Sequence, residues 1–143
     1  MQNCWTVLAG RAKSATNDAH AIVVAARARV AQLQGSLDHL DKLRQDYIAR
    51  YEAAQKKAHM IGDNLAYRQF LDHLQTLNER VMAQMSAAQQ ELERAKKFWT
   101  QAQREQVKME AMVERDARNK LEEKNKREQK QVDEAGITLF NLQ

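Results

Sequence analysis

The side chains able to hold a metal or attack a substrate are few in this chain and stand far apart. Four histidines, His20, His39, His59 and His73, and one cysteine, Cys4, are spread over 143 residues. His59 and His73 come nearest to sharing a neighbourhood, but no spacing here matches that of metal ligands gathered round one ion. These histidines read as surface or boundary residues. A lone cysteine forms no internal disulfide, and Cys4 reads as a chance residue near a loose terminus. No nucleophile is framed by a base and an orienting acid, and no glycine-rich loop is present to cradle phosphate. The expectation is a chain without metal, cofactor or catalytic activity of its own.

The aromatic side chains are concentrated instead. Tyr47, Tyr51, Tyr67 and Phe70 are four of the six tyrosines and phenylalanines, all between residues 47 and 70. Tyrosine supplies rigid contact area with a polar handle, which suits protein recognition. The wider region around them is crowded with Leu33, Leu37, Leu40, Leu43 and Ile48 before residue 60, and with Leu65, Leu71, Leu74, Leu77, Val81 and Met82 after it. That is more than one apolar stripe on each side. Two readings stand: the aromatics thicken a core near a turn, or one face is exposed until a partner covers it.

The elements that must position these residues are helices. Proline is absent, glycine numbers four, and Ala, Leu, Gln, Lys, Glu and Arg dominate, which favours an all-α chain. Steps of four and three from Ala19 reach Val23, Ala26, Val30, Leu33, Leu37, Leu40, Arg44, Tyr47, Tyr51, Ala54, Ala58 and Ile61, and only Arg44 is polar. This spacing holds a seam on one side of a supercoiled helix. The arginine stem can lie along the seam with its charge in water, and Leu43 beside it partly fills the gap. Gly35 lies off the seam and costs about 1 kcal/mol of local helix stability. A second seam runs Leu74, Leu77, Val81, Met85, Ala88, Leu92, Ala95, Trp99, Ala102, Gln106, Met109 and Val113, with a stutter between Leu77 and Met85. Past Val113 the same steps reach Asp116, Lys120, Glu123 and Arg127, and the seam ends.

Between the seams the sequence reads Gly62-Asp63-Asn64. Gly62 suits the left-handed residue that closes one helix, and Asp63 or Asn64 can cap the next. The fold expected is a long antiparallel two-helix coiled-coil hairpin with a longer second helix: a loose segment 1–14, a hairpin over 15–134 turning at about 61–64, and a tail 135–143. Residue i would then oppose roughly residue 126 minus i, which sets Ala19 against about Val107. The longer arm must overhang. From Glu114 to Glu134 it carries seven basic and seven acidic residues and, as apolar ones, only Ala117, Leu121 and Val132. Such a segment is either solvated and fraying or ordered against a partner. The tail holds Ile137, Leu139, Phe140 and Leu142, which suit a docking peptide or a terminus that folds back.

Charge narrows the partners. Basic residues number 23 and acidic ones 19, a net charge of +4. Because the two signs interleave, nucleic acid is not required, although the pairs Lys56-Lys57 and Lys96-Lys97 keep it as a third-ranked reading. AIVVAA at 21–26 is too short to span a membrane, and the first residues lack the pattern of a standard secretion signal. The rival structural reading is a dimer of long helices without a hairpin. The Gly62 region argues against it.

Side-chain landmarks add a resemblance. LDKLRQDYIARY on the first arm, YRQFLDHLQTL after the turn and AKKFWTQAQREQVKMEAMVER on the second arm resemble the FliJ family of flagellar export proteins, over about Leu40 to Arg115. The Y-x-x-x-Y pair, the Y-x-Q-F followed by spaced leucines, and the tryptophan before a long polar helix carry it. The resemblance implies a non-enzymatic, stalk-like coiled coil, monomeric when isolated. Its partners would be the hexameric flagellar export ATPase, the membrane export gate protein and export chaperones. It places the chain in the cytoplasm, peripherally at the inner membrane of the flagellar base. The gate-binding face would be Tyr47, Tyr51, Phe70, Leu74, Leu77 and Val81. The ring-binding end would include Val23, Val30, Met109, Val113, Arg118 and Lys120. Periodicity puts several of the gate residues in the seam, so their orientation is left between two faces.

Overall fold

The computed structural model describes residues 3–56 and 61–142. It contains two helices, α1 (Cys4–Gln55, 52 residues) and α2 (Ile61–Leu142, 82 residues), packed against each other. No strand occurs among the described residues. The all-α hairpin expected from the two seams is the fold that forms.

Three boundaries differ from the sequence reading. Residues 4–14, expected to be loose, are the start of α1, and Asn3 supplies the reason. Its side-chain Oδ1 accepts from the Trp5 amide at 3.4 Å and its carbonyl accepts from the Val7 amide at 3.2 Å, the geometry of an N-cap that satisfies a free first-turn donor. Residues 135–142, expected as a tail, continue α2 through Gly136 to Leu142. The turn expected at about 61–64 gives way to helix: α1 ends at Gln55 and 61–64 open α2. A glycine, an aspartate and an asparagine are tolerated in a first helical turn, where the backbone donors have no intrahelical partner. Ala58 and His59 lie outside the described residues.

The chain divides into two compact units, residues 19–98 and residues 1–18 with 99–143. The unit of residues 19–98 holds the apolar core. Ala19, Val23 and Leu33 of α1 and Leu74, Met85, Ala88 and Ala95 of α2 are buried, and Ala26, Val30, Leu37, Leu40, Leu77, Val81 and Leu92 are half-buried. Leu33, Met85 and Ala88 form one cluster, with Val30, Leu37 and Val81 packed against it. All of these are seam positions. Arg44 is exposed, as its charge demands, and Leu43 is only partly covered at 37% exposure.

Pairing in this unit is antiparallel, Tyr47 against Phe70 and Tyr51 against Tyr67. Residue i therefore opposes roughly residue 118 minus i, about eight lower than the sequence reading gave. The shift goes with the start of α2 at Ile61, where the sequence reading had placed the turn, since each residue of difference at the reversal moves a partner by two. Val107, expected opposite Ala19, is 65% exposed.

In the unit of residues 1–18 and 99–143, Trp5, Leu8, Ala9 and Ala12 of α1 and Trp99, Ala102, Gln106, Met109, Met112 and Val113 of α2 are half-buried. Thr16 is buried in line with them, its hydroxyl donating to the Ala12 carbonyl at 3.0 Å. That bond satisfies the polar atom and lets threonine occupy a seam position. Asn3 Nδ2 donates to Asp116 Oδ2, tying the cap of α1 to α2. From residue 117 to residue 142 every side chain is exposed. The apolar stripe thus runs out just where α1 begins.

Candidate protein-binding surfaces

Four rings from the two helices interdigitate in the unit of residues 19–98. Phe70 meets Tyr47 at a centroid distance of 4.1 Å, Tyr47 stacks on Tyr67 at 5.5 Å, and Tyr67 stacks on Tyr51 at 3.7 Å with planes 8° apart. Rings alternate between the helices because Tyr47 and Tyr51 are four residues apart on α1, and Tyr67 and Phe70 three apart on α2, so each pair shares a helix face. All four are half-buried. The Gln55 side chain donates to the Tyr51 hydroxyl at 2.8 Å, which fixes that ring further. The rings therefore make the seam, as the first reading of the tip aromatics has it, and their outer parts remain accessible.

The other residues expected on the gate-binding face sit deeper. Leu74 is 5% exposed, Val81 packs against the Leu33 cluster, and Leu77 is half-buried. The choice between seam and outward face is decided for the seam. An apolar stripe on each helix must cover the other, and turning leucines outward would forgo about 1.5–3 kcal/mol of burial for each. Outward positions belong instead to Leu43, Leu65 and Met82, the last 56% exposed. Beside the seam break, Leu40, Asp41, Arg44, Leu74, Gln75 and Asn78 line a small polar cleft of about 80 Å³. Next to the ladder, Tyr47, Arg50, Tyr51, Ala54, Ala66 and Tyr67 line an open groove of about 270 Å³.

Of the residues expected at the ring-binding end, Val23 and Val30 belong to the unit of residues 19–98, and Met109, Val113, Arg118 and Lys120 to the other. Val23 is fully buried, so it offers packing and no contact surface. Val30 is half-buried against the Leu33 cluster. Met109 and Val113 are half-buried, whereas Arg118 and Lys120 are exposed. Lys120 pairs with Asp116 at 3.3 Å and Arg127 with Glu123 at 3.9 Å. Such i,i+4 pairs support a solvated helix by a few tenths of a kcal/mol each. The sequence reading missed Asn3, whose cap and link to Asp116 hold the start of α1. A polar residue just ahead of a helical run was the available signal.

His20, His39 and His73 are exposed, and among the described residues no group of His, Cys, Asp or Glu is arranged to hold a metal ion. No described helix is long and apolar enough to cross a membrane. The class is defined by architecture: an all-α two-helix hairpin with an aromatic ladder in one unit and an exposed charged helix in the other. The chain belongs to the FliJ family, whose model, the flagellar FliJ protein, matches residues 6–143. Membership in this family of non-catalytic export components implies a role in flagellar protein export and in building the flagellum, through the export apparatus. Among curated proteins, none matches the chain.

Proposed function

We propose that the chain serves flagellar export as a stalk-like coiled coil, docking in the export ATPase ring through its open end and on the membrane export gate through the aromatic half of the hairpin. The reading places it in the cytoplasm, peripherally associated with the inner membrane at the flagellar base, where it also meets export chaperones. Family membership across nearly the whole chain is the observation that carries it. Two surfaces support it physically. Residues 117–142 are helical with every side chain exposed, which leaves a helix of roughly 39 Å, at 1.5 Å per residue, available to a partner. Its exposed Arg118 and Lys120 alternate with carboxylates, a surface able to meet changing subunit faces.

At the other surface, Tyr47, Tyr51 and Phe70 offer half-exposed rings, while Leu74, Leu77 and Val81 continue the seam along α2. A stalk hydrolyses nothing; it biases the subunit changes its partner makes. The test is to add the purified chain, and the chain truncated after Asp116, to the export ATPase at saturating concentration. The full chain should change turnover or ring assembly and the truncated one should not; no effect from either removes the ring assignment. Phe70→Ala and Tyr51→Ala should weaken gate binding while circular dichroism stays helical. Loss of the helical signal would return both residues to a purely structural role.

A further inference from the structure

The groove beside the aromatic ladder has a composition that narrows what can fill it. Of its lining residues, Tyr47, Tyr51, Tyr67, Ala54 and Ala66 present rings or methyl groups, and Arg50 presents a guanidinium. Arg50 is exposed and makes no ion pair among the described residues, although Asp46 stands four residues earlier on the same helix, where a pair can close. The Tyr51 hydroxyl accepts from Gln55, which leaves its own proton to donate outward. An apolar recess edged by a cation and a hydroxyl donor is complementary to an apolar side chain with a carboxylate next to it.

Shape and ring geometry favour a peptide side chain. The groove is open to solvent, whereas small-molecule sites enclose most of their ligand's surface. A nucleic-acid base needs a free aromatic face to stack on. Tyr67 is already stacked with two rings, Tyr47 at 5.5 Å and Tyr51 at 3.7 Å. A peptide side chain needs only ring edges and methyl groups, which the groove supplies.

We propose that Tyr47, Arg50, Tyr51 and Tyr67 form a recognition site for an acidic peptide segment of the partner, its aliphatic or aromatic side chain lying against the rings and alanines and its neighbouring carboxylate bound by Arg50 and the Tyr51 hydroxyl. Arg50 sets the charge preference and Asp46 competes for it. The inference rests on reading the aromatic half of the hairpin as a binding surface; it does not rest on which protein binds.

The test titrates the full-length, isotope-labelled chain with Ac-Glu-Trp-Leu-Glu-NH2 and with its neutral counterpart, Ac-Gln-Trp-Leu-Gln-NH2, following Tyr47, Arg50, Tyr51 and Tyr67 by NMR. The acidic peptide should shift these resonances and bind at least about fivefold more tightly than the neutral one, an advantage lost near ~0.5 M salt. Arg50→Glu, at an exposed position, should reverse the preference toward Ac-Lys-Trp-Leu-Lys-NH2, and Asp46→Asn should strengthen binding of the acidic peptide. Equal response to acidic and neutral peptides, shifts elsewhere on the chain, or an Arg50→Glu variant with unchanged preference overturns the site. Tighter binding of an oligothymidylate to the same residues overturns it in favour of nucleic acid. Gate binding measured alongside separates the two claims. If it responds to Tyr51→Ala and Phe70→Ala but not to Arg50→Glu, the gate assignment stands and this inference falls. If the acidic peptide binds as described while gate binding ignores all three substitutions, the groove stands with another partner.

Discussion

The unit of residues 19–98 and the unit of residues 1–18 with 99–143 are built from the same two helices, yet they are held by different forces. In the first, seven apolar side chains are buried, Ala19, Val23, Leu33, Leu74, Met85, Ala88 and Ala95. In the second, the one buried side chain among the described residues is Thr16. Its seam residues are half covered, and from residue 117 to residue 142 every side chain is exposed. Helix persists in both. In one it follows from burial of a shared stripe; in the other it follows from residue propensity and i,i+4 pairs such as Asp116–Lys120 and Glu123–Arg127. Helical backbone alone therefore says little about where cooperative stability resides.

Amide hydrogen exchange should show that difference at its largest. Amides between residues 23 and 52 open only with the paired unit, whereas those between residues 120 and 140 open by local fraying, so protection should differ by about three or more orders of magnitude. Equal protection would mean that the uncovered helix is held by contacts this structure lacks. Side-chain truncation gives the next largest contrast. Leu33→Ala empties the centre of the Leu33–Met85–Ala88 cluster and should cost about 2–5 kcal/mol in urea unfolding. Leu121→Ala, 57% exposed in the uncovered stretch, should stay within about 0.5 kcal/mol of the parent. A large effect at Leu121 would relocate part of the core.

Asn3 heads α1 and reaches Asp116, just before the uncovered stretch of α2, and its two roles can be separated. Asn3→Ala removes both the cap on α1 and the link to Asp116 and should cost about 1–2 kcal/mol. Asn3→Asp keeps a capping oxygen but sets a second carboxylate against Asp116. If the link matters, the aspartate variant recovers little of the loss. Full recovery in a thermal melt would assign the whole effect to capping.

Most of the fold was legible because heptad spacing is a direct statement of which side chains share a helix face. Every described position of the two seams is buried or half-buried except Arg44 and Ala54. What escaped the spacing was register and orientation. Gly62 looked like a helix terminator, but a glycine is also tolerated in a first turn, and the four-residue difference moved every cross-helix partner by about eight positions. The seam placed Leu74 and Val81 inside while the resemblance turned them outward, and the sequence alone did not choose between the two. Apolar residues at Leu43, Leu71 and Met82 competed for the same seam, and only the packing of the opposite helix decides between stripes. Asn3 and Thr16 escaped because polar side chains carry no hydrophobic period. Arg50 and Tyr67 were visible as residues, and their shared groove exists only once the helices are set in register.

Two glycines give the finest probe of the contrast between the units. Gly35 lies within α1 in the paired unit and Gly136 within α2 in the uncovered stretch, and a Cβ added at either would meet nothing within 4 Å. Neither substitution to alanine changes packing, so each acts through backbone entropy and helix propensity alone, a gain of about 0.5–1 kcal/mol. The gain should be read out differently. Gly35→Ala stabilises a segment that unfolds with the paired unit, so it should raise the midpoint of the main thermal transition by a few degrees, in proportion to the unfolding entropy. Gly136→Ala stabilises a segment that frays on its own. It should increase helical ellipticity well below the transition and leave the midpoint where it was. Were Gly136→Ala to shift the midpoint as far as Gly35→Ala, the end of α2 would belong to the same cooperative unit as the seam, and a free helix awaiting a partner would be the wrong description of it.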